Sequence, residues 1–432
     1  MKGSVCMTKV REFLLKFLPK FRTRLDIAIA AIILFLLLSP QEALWAAGIG
    51  MFGRFYYAVF GGVAILLALV VAANLVERKR IILRRENVWL GIYLAALILA
   101  VVTSVNPQLS LNLFPRYLIG FFLIYIIDSA ELTMEKLRRI FFVVTVGLAI
   151  TAIYAIIQRI IGVAPHASFT DLALHPNMPG RVDSFFGNPN VYGFALMLML
   201  PLVLAYSIDA LERKNRPQSA VGLTSFALCG VALIMTYSRG SWVGFAGAVF
   251  VFTLFYKPKW IPILLILGAL ALIPETIRIR VLSMFNPADT SVESRFVLIE
   301  PGLRILRSYP LVGLGLGYDT VRYYVLENLW SPEIRYSFTH THNIFAQIWS
   351  ATGIVGFVAF FGAILHNVIC SLKNFRTQSS TVRIYTAALI GGIAAILLGG
   401  IADYTLSFLR VLMLFWVVFA LLRAVRKMER TI

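Results

Sequence analysis

The sequence predicts an all-α polytopic membrane protein, with about twelve transmembrane helices and one large extracytoplasmic loop carrying amphipathic helices. Three observations predict it. Of 432 residues, 59% are hydrophobic and 14% charged, against about a quarter charged in a soluble domain. The mean hydropathy is +0.82. The apolar residues fall into long runs, each of the length that spans a hydrocarbon core, separated by short polar turns.

Taken in order, the spans lie near 25–45, 55–76, 88–104, 109–127, 139–162, 190–208, 219–236, 241–256, 260–274, 343–370, 384–402 and 404–423. The basic N-terminus ahead of the first run imitates a signal peptide, but no small-residue cleavage site follows convincingly. An uncleaved first helix is expected. The 343–370 run is long enough to tilt or to emerge from the bilayer as helix.

The net charge of +19 would point to nucleic acid in a soluble protein. Here the lysines and arginines hold cytoplasmic loops in place. All lysines fall in the N-terminal tail, in the connections near 77–85, 131–139, 212–216, 257–259 and 373–383, or in the C-terminal tail. The alternate connections, at 104–108, 162–189, 237–240, 275–341 and 402–404, hold arginines but no lysine. Both termini are therefore expected in the cytoplasm and the 275–341 loop outside. Cys6, Cys229 and Cys370 are far apart, with neither a metal-ligand spacing nor a disulfide framework.

Several outer arginines lie at membrane depth. Arg239 sits in Tyr237-Ser238-Arg239-Gly240-Ser241, between two spans with almost no loop; Arg116 follows Pro115, and Arg410 lies within an apolar segment. An arginine there is costly and faces a bundle interior or a water-filled cavity. Its planar fork of donors grips phosphate oxygens, so one reading is an outward-facing pocket for a lipid diphosphate. The other is structural pairing, for instance Arg410 with Asp403. The 162–189 loop adds His166, Asp171, His175, Arg181 and Asp183, whose spacing fits no metal pattern. Asn188 reads as a helix cap.

In the large loop, 291–308 reads as an amphipathic helix at the bilayer interface. Gly313-Leu314-Gly315-Leu316-Gly317 reads as tight-turn geometry rather than a phosphate cradle, because no strand precedes it. Tyr318, Tyr323, Tyr324, Trp330 and Tyr336 are of a kind that stacks on sugar rings, and equally of the interfacial belt. At the loop's exit stands Thr339-His340-Thr341-His342-Asn343, with two of the five histidines against the start of a span. Imidazole titrates near physiological pH and is the natural acid/base candidate. Asn343 caps the following helix or orients the ring.

Four short pieces resemble the bacterial O-antigen ligase and O-antigen polymerase superfamily. They are Phe186-Gly187-Asn188-Pro189-Asn190, Tyr237 through Trp242, Arg295 through Gly315, and His342-Asn343 followed by Thr352-Gly353-Ile354-Val355-Gly356. Their order covers roughly 180–410; the first 150 residues resemble the family only in topology.

The resemblance implies a GT-C-like membrane glycosyltransferase of the inner membrane, its site facing the periplasm. It divides the chain into N-terminal helices 1–180, a ligase/polymerase-like region 181–420 and a basic tail 421–432. It further implies transfer of a glycan from polyprenyl diphosphate to an acceptor hydroxyl, of lipid A-core in ligases or of a lipid-linked chain in polymerases. No metal, cofactor, nucleotide or nucleic acid is implied. By motif, Arg239 and Arg295 match the diphosphate-binding arginines and His342 the essential histidine, with His340 its rival. Asp403 matches a frequent polar position at an outer helix end. Arg181 and Arg116 are added from membrane depth and side. The alternative is a transporter of a small anion such as bicarbonate, a label also used in this superfamily. It would require interrupted spans, and none is evident in the sequence.

Overall fold

A computed structural model describes residues 18, 20, 21, 23–39, 51–76, 87–164, 179–285, 300–329, 340–373 and 375–429. Among them there is helix and no strand. The first eight helices are α1 (Leu25–Leu38), α2 (Met51–Val76), α3 (Val88–Val102), α4 (Pro107–Ser129), α5 (Met134–Ile161), α6 (Pro189–Glu212), α7 (Arg216–Met235) and α8 (Arg239–Tyr256). They are followed by α9 (Ile261–Leu270), α10 (Glu275–Leu282), α11 (Gly317–Asn328), α12 (Ile344–Leu372), α13 (Ser380–Gly399) and α14 (Leu409–Glu429). The side chains of Asn106, Thr133, Asn188, Asn215, Asn343 and Ser379 accept from backbone N–H groups of the first turns they precede. That satisfies donors a helix start leaves open.

The bundle is built around α6 and α13, whose apolar windows are 89% and 78% buried, and α14, buried from Arg410 to Arg426. Such helices are apolar on every face because every face meets another helix. The most extensive contact is between α8 and α13. Small residues four apart make it possible: Gly240, Gly244 and Ala248 on α8 face Gly391, Ala395 and Gly399 on α13. A Cβ on Gly244 would lie 2.7 Å from the Ala395 carbonyl oxygen.

Each of the twelve expected segments contains helix. Seven helices among the described residues are long and apolar enough to cross a membrane, eight if one bent pair is a single span. The ninth expected segment differs most. It is not a straight crossing: α9 has 10 residues, about 15 Å at 1.5 Å per residue, and the helical stretch turns by 100° into α10. Pro274, which cannot extend a helix leftwards, stands at the bend.

The expected continuous 343–370 run is broken at Gly353 (φ 63°, ψ −172°). The glycine-rich segment fills the break. Leu314 and Gly315 N–H donate to Ser350 and Ala351 carbonyls, and Ile354 and Val355 N–H donate to Pro310 and Leu311 carbonyls. Gly313, Gly315 and Gly317 all have positive φ, so the expectation of turn geometry holds. Their role is to pass backbone between α12 and the α3–α4 connection.

The rest of the large loop has its own small core of Ile305, Leu314, Val321 and Val325. Residues 300–308 of the expected amphipathic helix are helical; 291–299 lie outside the described residues. At the far end of the bundle, Asp209 (1% exposed) receives Arg138, Arg213 and Tyr385 at 2.9–3.1 Å. Asp128 receives Arg423 and Lys427, both at 2.7 Å. Lys136, Lys214, Lys257, Lys259, Lys373 and Lys427 all lie at this end.

Candidate functional site

The opposite end of the bundle carries the site. Its first part is a pair of turns. Asn343 caps α12 by accepting from Ala346 N–H at 2.9 Å, and its amide donates to the Ile401 carbonyl at 2.9 Å. Ile344 N–H donates to the Gly400 carbonyl at 2.8 Å. These bonds fasten the His340–Asn343 turn to the turn that follows α13, which brings Asp403 to the histidines.

His342 Nδ1 lies 3.1 Å from Asp403 Oδ1, and His340 Nε2 lies 3.9 Å from the same oxygen. An ionised carboxylate only accepts, so His342 carries its proton on Nδ1 and presents Nε2 as the lone-pair nitrogen. His342 N–H donates to His340 Nδ1 at 3.1 Å, which fixes His340 as the Nε2–H tautomer. Burial, then the neighbouring His342, pull His340 down to about 4, with Asp403 acting in the opposite sense. His340 is thus held neutral, with its side chain 13% exposed, whereas that of His342 is 27% exposed.

The second part is the α7–α8 turn, and three arginines converge on it. Arg239 opens α8 and donates to Ser283 Oγ at 2.8 Å. Arg181 Nε donates to the Thr236 carbonyl at 2.7 Å, and its Nη2 bonds Asn190 Oδ1. Arg280, on α10, donates to the Tyr237 carbonyl at 3.3 Å. All three are 5–8% exposed. Burial, then the charges of Arg280 and Arg239, lower Arg181 to about 9, with Asp403 opposing. The guanidinium cluster and the His–Asp pair therefore sense one another.

Backbone strain gathers here. Among described residues, the non-glycine positive φ values are at Ser184 (53°), Lys214 (58°), Tyr237 (48°) and His342 (45°). Three of the four flank Arg181, Arg239 and the histidines. Such conformations persist where surroundings over-determine them, as functional sites do.

The expected residues are distributed as follows. His342, His340, Asn343 and Asp403 come together, and Arg181 and Arg239 form the adjoining cluster. Arg116 donates to the Ser407 carbonyl and lies over the Tyr318 ring at 5.9 Å, so it reaches the Asp403 turn from α4 instead of joining the cluster. Arg295 lies outside the described residues, as do His166, Asp171, His175, Trp330 and Tyr336. Asn188 caps α6 as expected. Arg410, suggested as a partner of Asp403, donates to the Phe185 carbonyl at 2.9 Å and lies over the Phe186 ring. Arg280 was not singled out from sequence, because it sits in a short charged stretch with no motif; the 100° bend delivers it.

Among described residues, the ligand atoms of His340, His342 and Asp403 lie within 4.8 Å of one another and are the set able to hold a metal ion. The fit is poor. The Asp403 oxygen already takes the His342 proton, and the Arg181 guanidinium acts on the same carboxylate. A cation would displace the first and be repelled by the second.

Fold and site thus define a multi-pass membrane protein with a strained, cationic, histidine-bearing site at one end of its bundle. Residues 224–361 match the family model described as O-Antigen ligase, which supports placing the chain in the O-antigen ligase superfamily. That segment runs from α7 into α12 and holds Arg239, Arg280, Arg295, His340 and His342, but not Arg181 or Asp403. The chain is also similar to an uncharacterized protein of Haemophilus influenzae, 25% identical over 188 residues, which are 39% of this chain and 47% of that protein. The match therefore spans about half the length of that curated relative.

Proposed function

We propose that the protein transfers a glycan from a polyprenyl diphosphate to an acceptor hydroxyl at the outer face of the bacterial inner membrane, as an O-antigen-type ligase or polymerase. The family match carries the broader statement, a glycosyltransferase-like ligase acting on a lipid-linked glycan. The observation that carries the mechanism is the convergence of Arg181, Arg239 and Arg280 beside the His342–Asp403 pair. The placing of Lys136, Lys214, Lys257, Lys259, Lys373 and Lys427 at the far end of the bundle agrees with a cytoplasmic face there, and with the site facing the other way.

In this reading His342 Nε2 takes the acceptor proton while the acceptor oxygen bonds to the anomeric carbon. The bond from that carbon to the phosphate oxygen breaks, and its electron pair leaves with the diphosphate. Arg239, Arg280 and Arg181, with Arg295, offset the added negative charge. Asp403 holds the imidazole in the Nδ1–H tautomer and stabilises the imidazolium that forms. No metal takes part. The neutral, more enclosed His340 fixes the backbone of its neighbour instead of serving as the base. The interrupted α12 is a feature a transporter would share. Its break, however, is filled by the protein's own backbone, and neither comparison favours transport.

The test is glycan transfer in proteoliposomes with the cell's own polyprenyl-diphosphate glycans, with and without lipid A-core. Product from donor alone identifies a polymerase, and product only with added acceptor a ligase. Activity surviving in His342→Ala would refute the mechanism.

A further inference from the structure

A separate set of side chains reaches the histidines through Tyr404. The Tyr404 ring stands edge-on to His340 at 5.9 Å, and Tyr117 of α4 lies near enough to Tyr404 for the two phenols to influence one another. Tyr117 in turn lies near the backbone of Gly317, at the start of α11. The next two residues are Tyr318, whose ring lies 5.9 Å from the Arg116 guanidinium, and Asp319, which feels the charges of Arg116 and Arg322. Through Arg116, which lies over Tyr318 and donates to the Ser407 carbonyl, the first turn of α11 is tied to the turn that carries Asp403.

These residues do not behave like the other loop aromatics. Tyr309 and Tyr324 pack edge to face at 5.5 Å in the loop's own core, and Tyr323 is 42% exposed. Tyr318, Asp319 and Arg116 are each partly exposed and held from behind. Arg116 is anchored on the Ser407 carbonyl, and Leu113 fills the space beside Gly317. Burial pushes the Asp319 carboxyl up, with Arg116 and Arg322 pulling against it.

We propose that Tyr318, Asp319 and Arg116 form a saccharide-binding subsite that seats a pyranose ring of the acceptor glycan beside the turn that carries Asp403. An aromatic ring offers a flat apolar face to the C–H face of a sugar. A carboxylate accepts from two neighbouring hydroxyls, and a guanidinium donates to hydroxyl or ring oxygens. One ring, one acceptor and one donor, partly desolvated and prearranged, are what recognition of a polyhydroxylated ring requires. The subsite is built from α4 and the first turn of α11 and is distinct from the arginine turn, so donor and acceptor have separate places. The word acceptor rests on the transferase reading; the binding of sugar does not.

The test uses the full chain in lipid nanodiscs and saturation-transfer NMR with two probes, deacylated lipid A-core oligosaccharide and the glycan released from the polyprenyl donor. The expected result is saturation of at least one probe by the parent, by His342→Ala and by Tyr318→Phe, with loss in Tyr318→Ala and Asp319→Asn. In the transfer assay, Asp319→Asn raises the acceptor KM at least about tenfold and leaves the donor KM unchanged. Saturation of neither probe by the parent, or undiminished saturation in Tyr318→Ala and Asp319→Asn, overturns the proposal. Saturation lost in those variants, in a parent that transfers nothing, retains the subsite and removes the transferase reading.

Discussion

His342 Nδ1 and Asp403 Oδ1 meet at 3.1 Å across 61 positions of sequence, and the bond decides which imidazole nitrogen is available for chemistry. His342→Ala is expected to lower kcat by about 10²–10⁴, the usual weight of a general base. Asp403→Asn is expected to retain protein and donor binding but lose most of the rate. Its amide can donate to Nδ1 and so move the proton to Nε2. Proteoliposome transfer rates with parallel donor binding check both.

Arg280 is expected to act with Arg239 on the donor. Arg239→Ala and Arg280→Ala should each reduce kcat by about 10²–10³, as loss of a preorganised cationic donor does. Arg280→Lys keeps the charge and loses the fork, so an intermediate rate with raised donor KM is expected. An Arg280→Lys rate equal to that of Arg280→Ala would assign the effect to geometry alone.

His340 makes the fold acid-sensitive. Its folded value, about 4, lies below the ordinary 6.5. Between these values the unfolded chain binds a proton that the folded protein refuses, so stability rises with pH there. The contribution is complete above 6.5 and lost as pH falls towards 4. His340→Gln should flatten the decline of stability between about pH 7 and 4.5, by roughly 2 kcal/mol. Thermal unfolding of the two purified proteins, compared at each pH, measures it.

Gly353→Ala is expected to destabilise by at least about 2 kcal/mol. Its φ is +63° and a Cβ would lie 2.1 Å from the Leu311 carbonyl oxygen. Gly268, in α9 with nothing within 4 Å of a Cβ, is the control. Gly268→Ala should be neutral or gain up to about 1 kcal/mol. Equal losses of Tm in both variants would refute the role given to the break.

Chelation is expected to leave transfer unchanged. Added zinc should likewise leave the rate unchanged, because the Asp403 oxygen already takes the His342 proton and Arg181 repels a cation there. A rate that falls with chelator and returns with a divalent ion would reverse the assignment of His342, His340 and Asp403.

Much of the architecture was legible in the sequence because bilayer crossing imposes a length and an apolar content on each segment. Arg239 and His342 were legible from short motifs. The distances between them were not, since connections of quite different length meet at one end of the bundle. Arg280 escaped notice because an eight-residue helix with alternating charge carries no distinctive period. The break at Gly353 was hidden within an apolar run, where its φ and the bonds to the Pro310 and Leu311 carbonyls and from the Leu314 and Gly315 N–H groups reveal it. The pairing of Asp403 with His342 was not legible, because the two stand 61 positions apart.

The bonds that fill the α12 break put the extramembrane excursion in frame with the bundle. A one-residue insertion between Pro310 and Gly317 would shift each donor past its carbonyl and carry the glycines off the positions where φ is positive. Evolution can therefore vary the excursion on either side of this segment, while the segment itself acts as a fixed clasp. Chimeras between relatives should be spliced outside it.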